Sequence, residues 1–168
     1  MSEPWPPREL ERYERGLDEL VTTLRSNPSG DEYLSRFLTI RACGFLEQAI
    51  KTLSRAHVDC KSGGTVRSFA LTHLERARNP GPAAILQMLG RFDLALTSEF
   101  DEFLSRDDGS MRRELEGLVQ KRNLIAHGEN EGVRPTTALK HADLVRVVVD
   151  ELARLLHPER SRPVRPQV

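Results

Sequence analysis

The chain is poor in the residue types that announce a specialised class. It has two cysteines in 168 residues, Cys43 and Cys60. That is too few for a disulfide scaffold, and neither has a neighbour at zinc-ligand spacing. Aromatic residues are scarce at 5 %, and no apolar run approaches the length of a transmembrane helix. The N-terminus, Met1-Ser2-Glu3-Pro4, has no apolar core of a signal peptide. Charge of one sign is also missing: 25 basic and 25 acidic side chains cancel. Cancellation argues against a strongly basic DNA-binding module and leaves room for a local basic pocket. A cytoplasmic protein with no membrane partner is the expectation, and nothing in the composition calls for a metal or another cofactor.

What is present is helical periodicity. The length suits one domain with a sizeable core. Leu10, Tyr13, Leu17, Leu20, Val21 and Leu24 recur at spacings of three and four, which predicts a helix from Arg8 to about Ser26. Asn27-Pro28-Ser29-Gly30 ends it, and Asp31 suits the next N-cap. The stretch from Glu32 to about Ala56 is the most apolar, with Leu38, Ala42, Phe45, Leu46, Ala49 and Leu53 spread over more than one face. It reads as the central helix, with Arg41 and Glu47 set inside the run.

Further helices are expected over about Thr65–Arg78, Ala83–Leu89 and Arg91–Ser105. Asp107-Asp108-Gly109-Ser110 reads as a turn. A helix from about Met111 then ends near His127-Gly128. A last helix, capped by Thr136 or Thr137, runs to about Leu156. The fold class is all-α: a bundle of long antiparallel helices with shorter inserted ones, one domain over residues 1–157. The Pro/Arg-rich tail, 158–168, has the composition of a disordered segment. Trp5 suits either an anchor for the first helix or a contact with a partner. Cys43, in an apolar run, reads as a small packed hydrophobe. His57, His73, His141 and His157 read as surface or capping residues.

One segment breaks the pattern. On a wheel at about 100° per residue, Leu115, Leu118, Val119 and Ala126 share an arc, and Arg122 falls in its middle. An isolated, dry guanidinium there would cost several kcal/mol. It therefore pairs with a carboxylate or lines a solvated groove. His127 follows five positions on, about 140° away on an ideal helix, so a continuous helix would not aim both side chains at one point. Gly128 offers a C′ residue able to turn through the left-handed region, which would place His127 at the helix terminus. A two-fold axis offers a second way to bring an arginine and a histidine together.

Arg122-Asn123-Leu124-Ile125-Ala126-His127-Gly128 resembles the Arg-Asn-x-x-Ala-His-Gly signature of HEPN domains, the higher eukaryotes and prokaryotes nucleotide-binding superfamily. Ile40-Arg41-Ala42-Cys43-Gly44-Phe45-Leu46-Glu47 is similar to the corresponding helix of the RiboL-PSP-HEPN branch. The likeness spans about Glu32 to Leu156. It implies an all-α HEPN bundle and a metal-independent endoribonuclease of the toxin–antitoxin or phage-defence kind. It also implies a homodimer whose two motifs form one composite site. By motif position, Arg122 and His127 are the implied catalytic pair and Asn123 the supporting polar residue. Glu47 is a supporting acid on the central helix. It serves either as a salt-bridge partner of Arg41 or Arg122 or in proton transfer. Lys121 and Arg134 are candidates for binding RNA phosphates.

The implied partners are RNA, a second copy of the chain, and an antitoxin or nucleotidyltransferase. Tyr13 and Tyr33 are the two tyrosines, and neither lies near the motif as an acceptor of nucleotide transfer would. A different class stays open: a non-catalytic helical binding or adaptor module in which Arg122 only holds a dimer, a nucleotide or a partner protein. Unaided, the motif allows a further reading, a buried arginine–glutamate pair with a histidine that favours a helix C-terminus.

Overall fold

The computed structural model describes residues 4–27, 32–74, 80–129 and 132–160. Six helices run through them: α1 (Glu9–Ser26), α2 (Glu32–Lys61), α3 (Gly64–Leu74), α4 (Pro82–Phe92), α5 (Leu94–Ala126) and α6 (Pro135–Leu155). No strand occurs among the described residues.

The central pairing is α2 against α6, with α1 and α5 also packed on α2 and α4 on α5. Leu38, Ala42, Leu46, Ala49 and Leu53 of α2 and Ala142, Val145, Val148 and Leu152 of α6 are fully enclosed. Burial of each large aliphatic side chain in such a seam contributes about 1.5–3 kcal/mol. This explains why the β-prone Val147-Val148-Val149 stays helical: the three-and-four spacing of its neighbours wins over intrinsic propensity. Trp5 anchors to α6, donating from Nε1 to the Ala153 carbonyl at 2.9 Å.

Several boundaries differ from the sequence expectation. α2 continues to Lys61, because nothing between Ala56 and Ser62-Gly63-Gly64 breaks it; Gly64 takes a φ of +57°. α4 and α5 are divided at Asp93, not before Arg91. Gly90 is accommodated inside α4, whereas Asp93 adopts an extended conformation and accepts the Ala95 N–H at 3.0 Å, capping α5. α6 begins on Pro135 with Arg134 as N-cap and no side-chain cap, so neither Thr136 nor Thr137 plays that part. Proline at the first helical position has no N–H to leave unsatisfied. The expected N-cap Asp31, the end of the third helix at Arg78 and the tail beyond Arg160 lie outside the described residues.

The expected turn at Asp107-Asp108-Gly109 is present as a sharp break inside α5. Asp107, Asp108 and Gly109 all have positive φ (50°, 55° and 72°). Aspartate tolerates this left-handed region better than most residues because its short side chain bonds locally. Arg112 reaches back to Asp101 at 2.6 Å across the break, and Arg113 donates to the Asp108 carbonyl at 2.6 Å. The break frees the second arm of α5, from Ser110 to Ala126, to lie along α2 on its own course.

Candidate functional site

The second arm of α5 buries Leu115, Leu118 and Val119. One turn later the same stripe delivers Arg122, and there the arm begins to leave the core: Arg122 is half-buried and Ala126 is exposed. The guanidinium meets Glu47 of α2. Arg122 Nη2 donates to Glu47 Oε1, and Nη1 donates to Asn123 Oδ1 at 3.0 Å. The arginine on the apolar arc is thus paired with a carboxylate from the central helix. Arg41, the other candidate partner of Glu47, is exposed.

The pair is not sealed. The Arg122 and Glu47 side chains keep 30 % and 28 % of their surface, enough for a ligand atom to reach the remaining guanidinium donors. Cys43, one turn before Glu47, is fully buried. Its thiol is pushed up to about 11, first by burial, then by the Glu47 carboxylate, with Arg122 acting the other way. It is a packed, unreactive thiol, as its apolar setting suggested.

The helix ends on a Schellman motif. His127 is the C-cap residue, and Gly128 takes a φ of +80°. The Gly128 N–H reaches the Ile125 carbonyl at 3.1 Å, and the Glu129 N–H reaches the Leu124 carbonyl at 3.0 Å. His127 is exposed. Among the described residues its imidazole has no hydrogen bond or ion pair. The fold therefore brings Glu47, Arg122 and Asn123 into one hydrogen-bonded set and leaves His127 beside it at the helix end, uncommitted.

Among the described residues, no ion pair or hydrogen bond joins the two proposed phosphate-binding cations to that set. Lys121 is half-buried near His141 of α6, and Arg134 is exposed ahead of Pro135. His141 was expected at the surface or as a helix cap and is instead buried inside α6, with Nδ1 3.3 Å from Thr39 Oγ1 of α2. Burial lowers its pKa to about 4, and the Lys121 ammonium adds to the effect. His57 is half-buried, and its Nδ1–H donates at 2.7 Å to the carbonyl of Leu156, the C-cap residue of α6, which is a capping role. His73 is exposed and bonds the Phe69 carbonyl, and His157 Nδ1 accepts the Glu159 N–H.

A shallow groove of about 380 Å³ runs beside Asn123 and Leu124, between Val119 and Gln120 of α5 and the first turn of α4 at Pro82 and Ala83. No three His, Cys, Asp or Glu side chains cluster as a metal site would require among the described residues. None of the helices is long and apolar enough to cross a membrane, among the same residues.

Residues 8–157 match the family described as RiboL-PSP-HEPN. The chain belongs to that family. The match covers all six helices, including α1, which the sequence resemblance had left out. In this RiboL-PSP-HEPN chain the signature begins one turn beyond the buried part of α5 and closes on the Gly128 turn. The Glu47–Arg122 pair ties it to the central helix. Neither a curated protein nor a solved structure matches the chain.

Proposed function

We propose that this HEPN chain is a metal-independent endoribonuclease, acting as a toxin or defence effector through a composite site formed by two copies. The observation that carries the reading is the pairing of roles at one helix end. A guanidinium is held on the packing arc by Glu47 and Asn123 in a side chain that keeps solvent exposure, and an imidazole with no partner among the described residues follows it.

The chemistry suits these groups. In metal-free cleavage the ribose 2′-OH attacks the adjacent phosphorus and its proton passes to a base. The P–O5′ bond breaks as the leaving oxygen takes a proton. His127 of one copy serves as base or acid near neutral pH. Arg122 stabilises the charge that builds on the non-bridging oxygens. The products are a 2′,3′-cyclic phosphate and a 5′-OH, and DNA, lacking the 2′-OH, is not cut. Because one helix does not join Arg122 to His127, a two-fold axis supplies the second half of the site. The groove beside Asn123 is a path for the RNA strand, with Arg134 and Lys121 as outlying phosphate contacts.

One observation favours a second reading. Arg122 already has a carboxylate partner within its own chain, which is what a structural pair in a non-catalytic adaptor would show. Incubating single-stranded and structured RNA with the protein in EDTA separates the two. The nuclease reading expects cleavage that disappears in Arg122→Ala and His127→Ala proteins of unchanged fold. The adaptor reading expects no cleavage by any form, with Arg122→Ala losing self-association or stability.

A further inference from the structure

A second cleft, of about 370 Å³, opens where the C-terminal ends of α2 and α6 meet α3 and the α4–α5 junction. It stands apart from the Arg122 site: His57, on its wall, and Glu47 are ten residues apart on α2, or about 15 Å along the axis. The floor and walls are apolar, from Val66 and Ala70 of α3, Phe92, Leu96 and Leu155. The Phe92 ring meets the His57 ring edge-on at 5.1 Å, and both rings line the cleft.

The charges are not balanced in their commitments. Both carboxylates on the lining are engaged. Asp93 caps α5 through the Ala95 N–H, and Glu99 takes Arg160 and, at 3.4 Å, Arg154. The cations are less fully used. Lys61 and Arg91, both on the lining, have no hydrogen bond or ion pair among the described residues. Arg160 Nη1 is buried with no acceptor, although Nη2 of the same guanidinium is paired.

We propose that this cleft binds a small organic anion with an aromatic or apolar body, at a site separate from the HEPN signature. The apolar walls take the body, and Lys61 and Arg91 take the anionic end. Size and lining fit the usual form of a small-molecule site: concave, mostly apolar, with a few converging polar groups. The proposal does not depend on ribonuclease activity.

The test uses anilinonaphthalene sulfonate as probe, with phenylnaphthylamine, which lacks the sulfonate, and inorganic sulfate as comparison arms. Binding to the full chain is mapped by amide and histidine-ring NMR shifts. The expected result is a set of shifts confined to residues near 57–61, 66–70, 91–96 and 155–160, including the His57 ring. A Lys61→Ala/Arg91→Ala protein should bind the sulfonate about tenfold more weakly, the modest loss expected for exposed charges. Its binding of phenylnaphthylamine should be unchanged. Ala70→Trp should block both aromatic probes, and His127→Ala should bind them as the parent does. Shifts centred elsewhere, or equal affinity for the two aromatic probes, would overturn the proposal. So would a double variant of unchanged thermal midpoint that binds the sulfonate as tightly as the parent. The wild-type map and the comparison of probes decide the matter even if a variant does not fold.

Discussion

Breaking the Glu47–Arg122 pair should cost a specific, intermediate amount. Exposed ion pairs are worth about 0–1 kcal/mol, whereas removing one partner of a sealed pair costs about 3–5 kcal/mol. With roughly three-tenths of each side chain still open to water, a stranded partner can be rehydrated. The coupling between Glu47→Gln and Arg122→Met should therefore be about 1–2 kcal/mol in a double-mutant cycle. Urea unfolding of the parent, the two single variants and the double variant measures it. The coupling should shrink in 1 M salt, because the pair is solvent-accessible. A coupling indistinguishable from zero would mean that Glu47 does not hold the guanidinium. A value above about 4 kcal/mol, insensitive to salt, would mean a sealed pair and would remove the opening that the proposed chemistry needs.

Three further outcomes follow from particular residues. His141, whose pKa falls to about 4 on burial, stays neutral in the folded chain while the unfolded chain protonates below about pH 6.5. Its contribution is complete above that pH and is lost as pH falls toward 4. Relative to His141→Leu, the parent should lose about 2–3 kcal/mol of stability between pH 7.5 and 4.5, measured by urea unfolding at each pH; parallel pH profiles for the two proteins would refute it. Gly128→Ala, at a φ of +80°, should lower stability by about 1 kcal/mol and re-aim His127, with Gly128→Asn milder; calorimetry showing no change would contradict the Schellman end. Asp107→Gly should raise stability by about 1 kcal/mol by relieving a positive φ, and a lowered thermal midpoint would show that its side chain matters more than its backbone strain.

The parts of the fold legible in the sequence were those set by short-range rules. Spacing found the faces of α1, α2 and α6. Gly128 marked the end of α5, and Asp107-Asp108-Gly109 marked the break within it, because each of these signals lies in the chain beside the structure it makes. The helix wheel singled out Arg122 because a charge on an apolar arc is a local contradiction. The pairing was legible only as a choice, Glu47 being able to meet either Arg41 or Arg122, since which residue of α2 faces α5 depends on how the helices pack.

The misses have the same cause. Gly90-Arg91 looked like a boundary, but a glycine inside a packed helix is tolerated, and the true break needed the side chain of Asp93. His141 sits four residues before Val145 and seven before Val148, on the buried stripe of α6. That spacing was the available signal, and residue type outweighed it. Thr39, its partner, lies on the equivalent stripe of α2, three residues before Ala42. The cleft at the far end of α2 left no trace in the sequence, because its walls come from five helices and no two of its cations are neighbours in the chain.

The most direct test of the account is RNA cleavage by mixed copies. Arg122→Ala and His127→Ala proteins are assayed singly in EDTA and then as a one-to-one mixture, with the product ends analysed. Each variant alone should be inactive, and the mixture should recover part of the parental activity, leaving 2′,3′-cyclic phosphate ends. A parent that cuts no RNA, or a His127→Ala protein that cuts as fast as the parent, would contradict it.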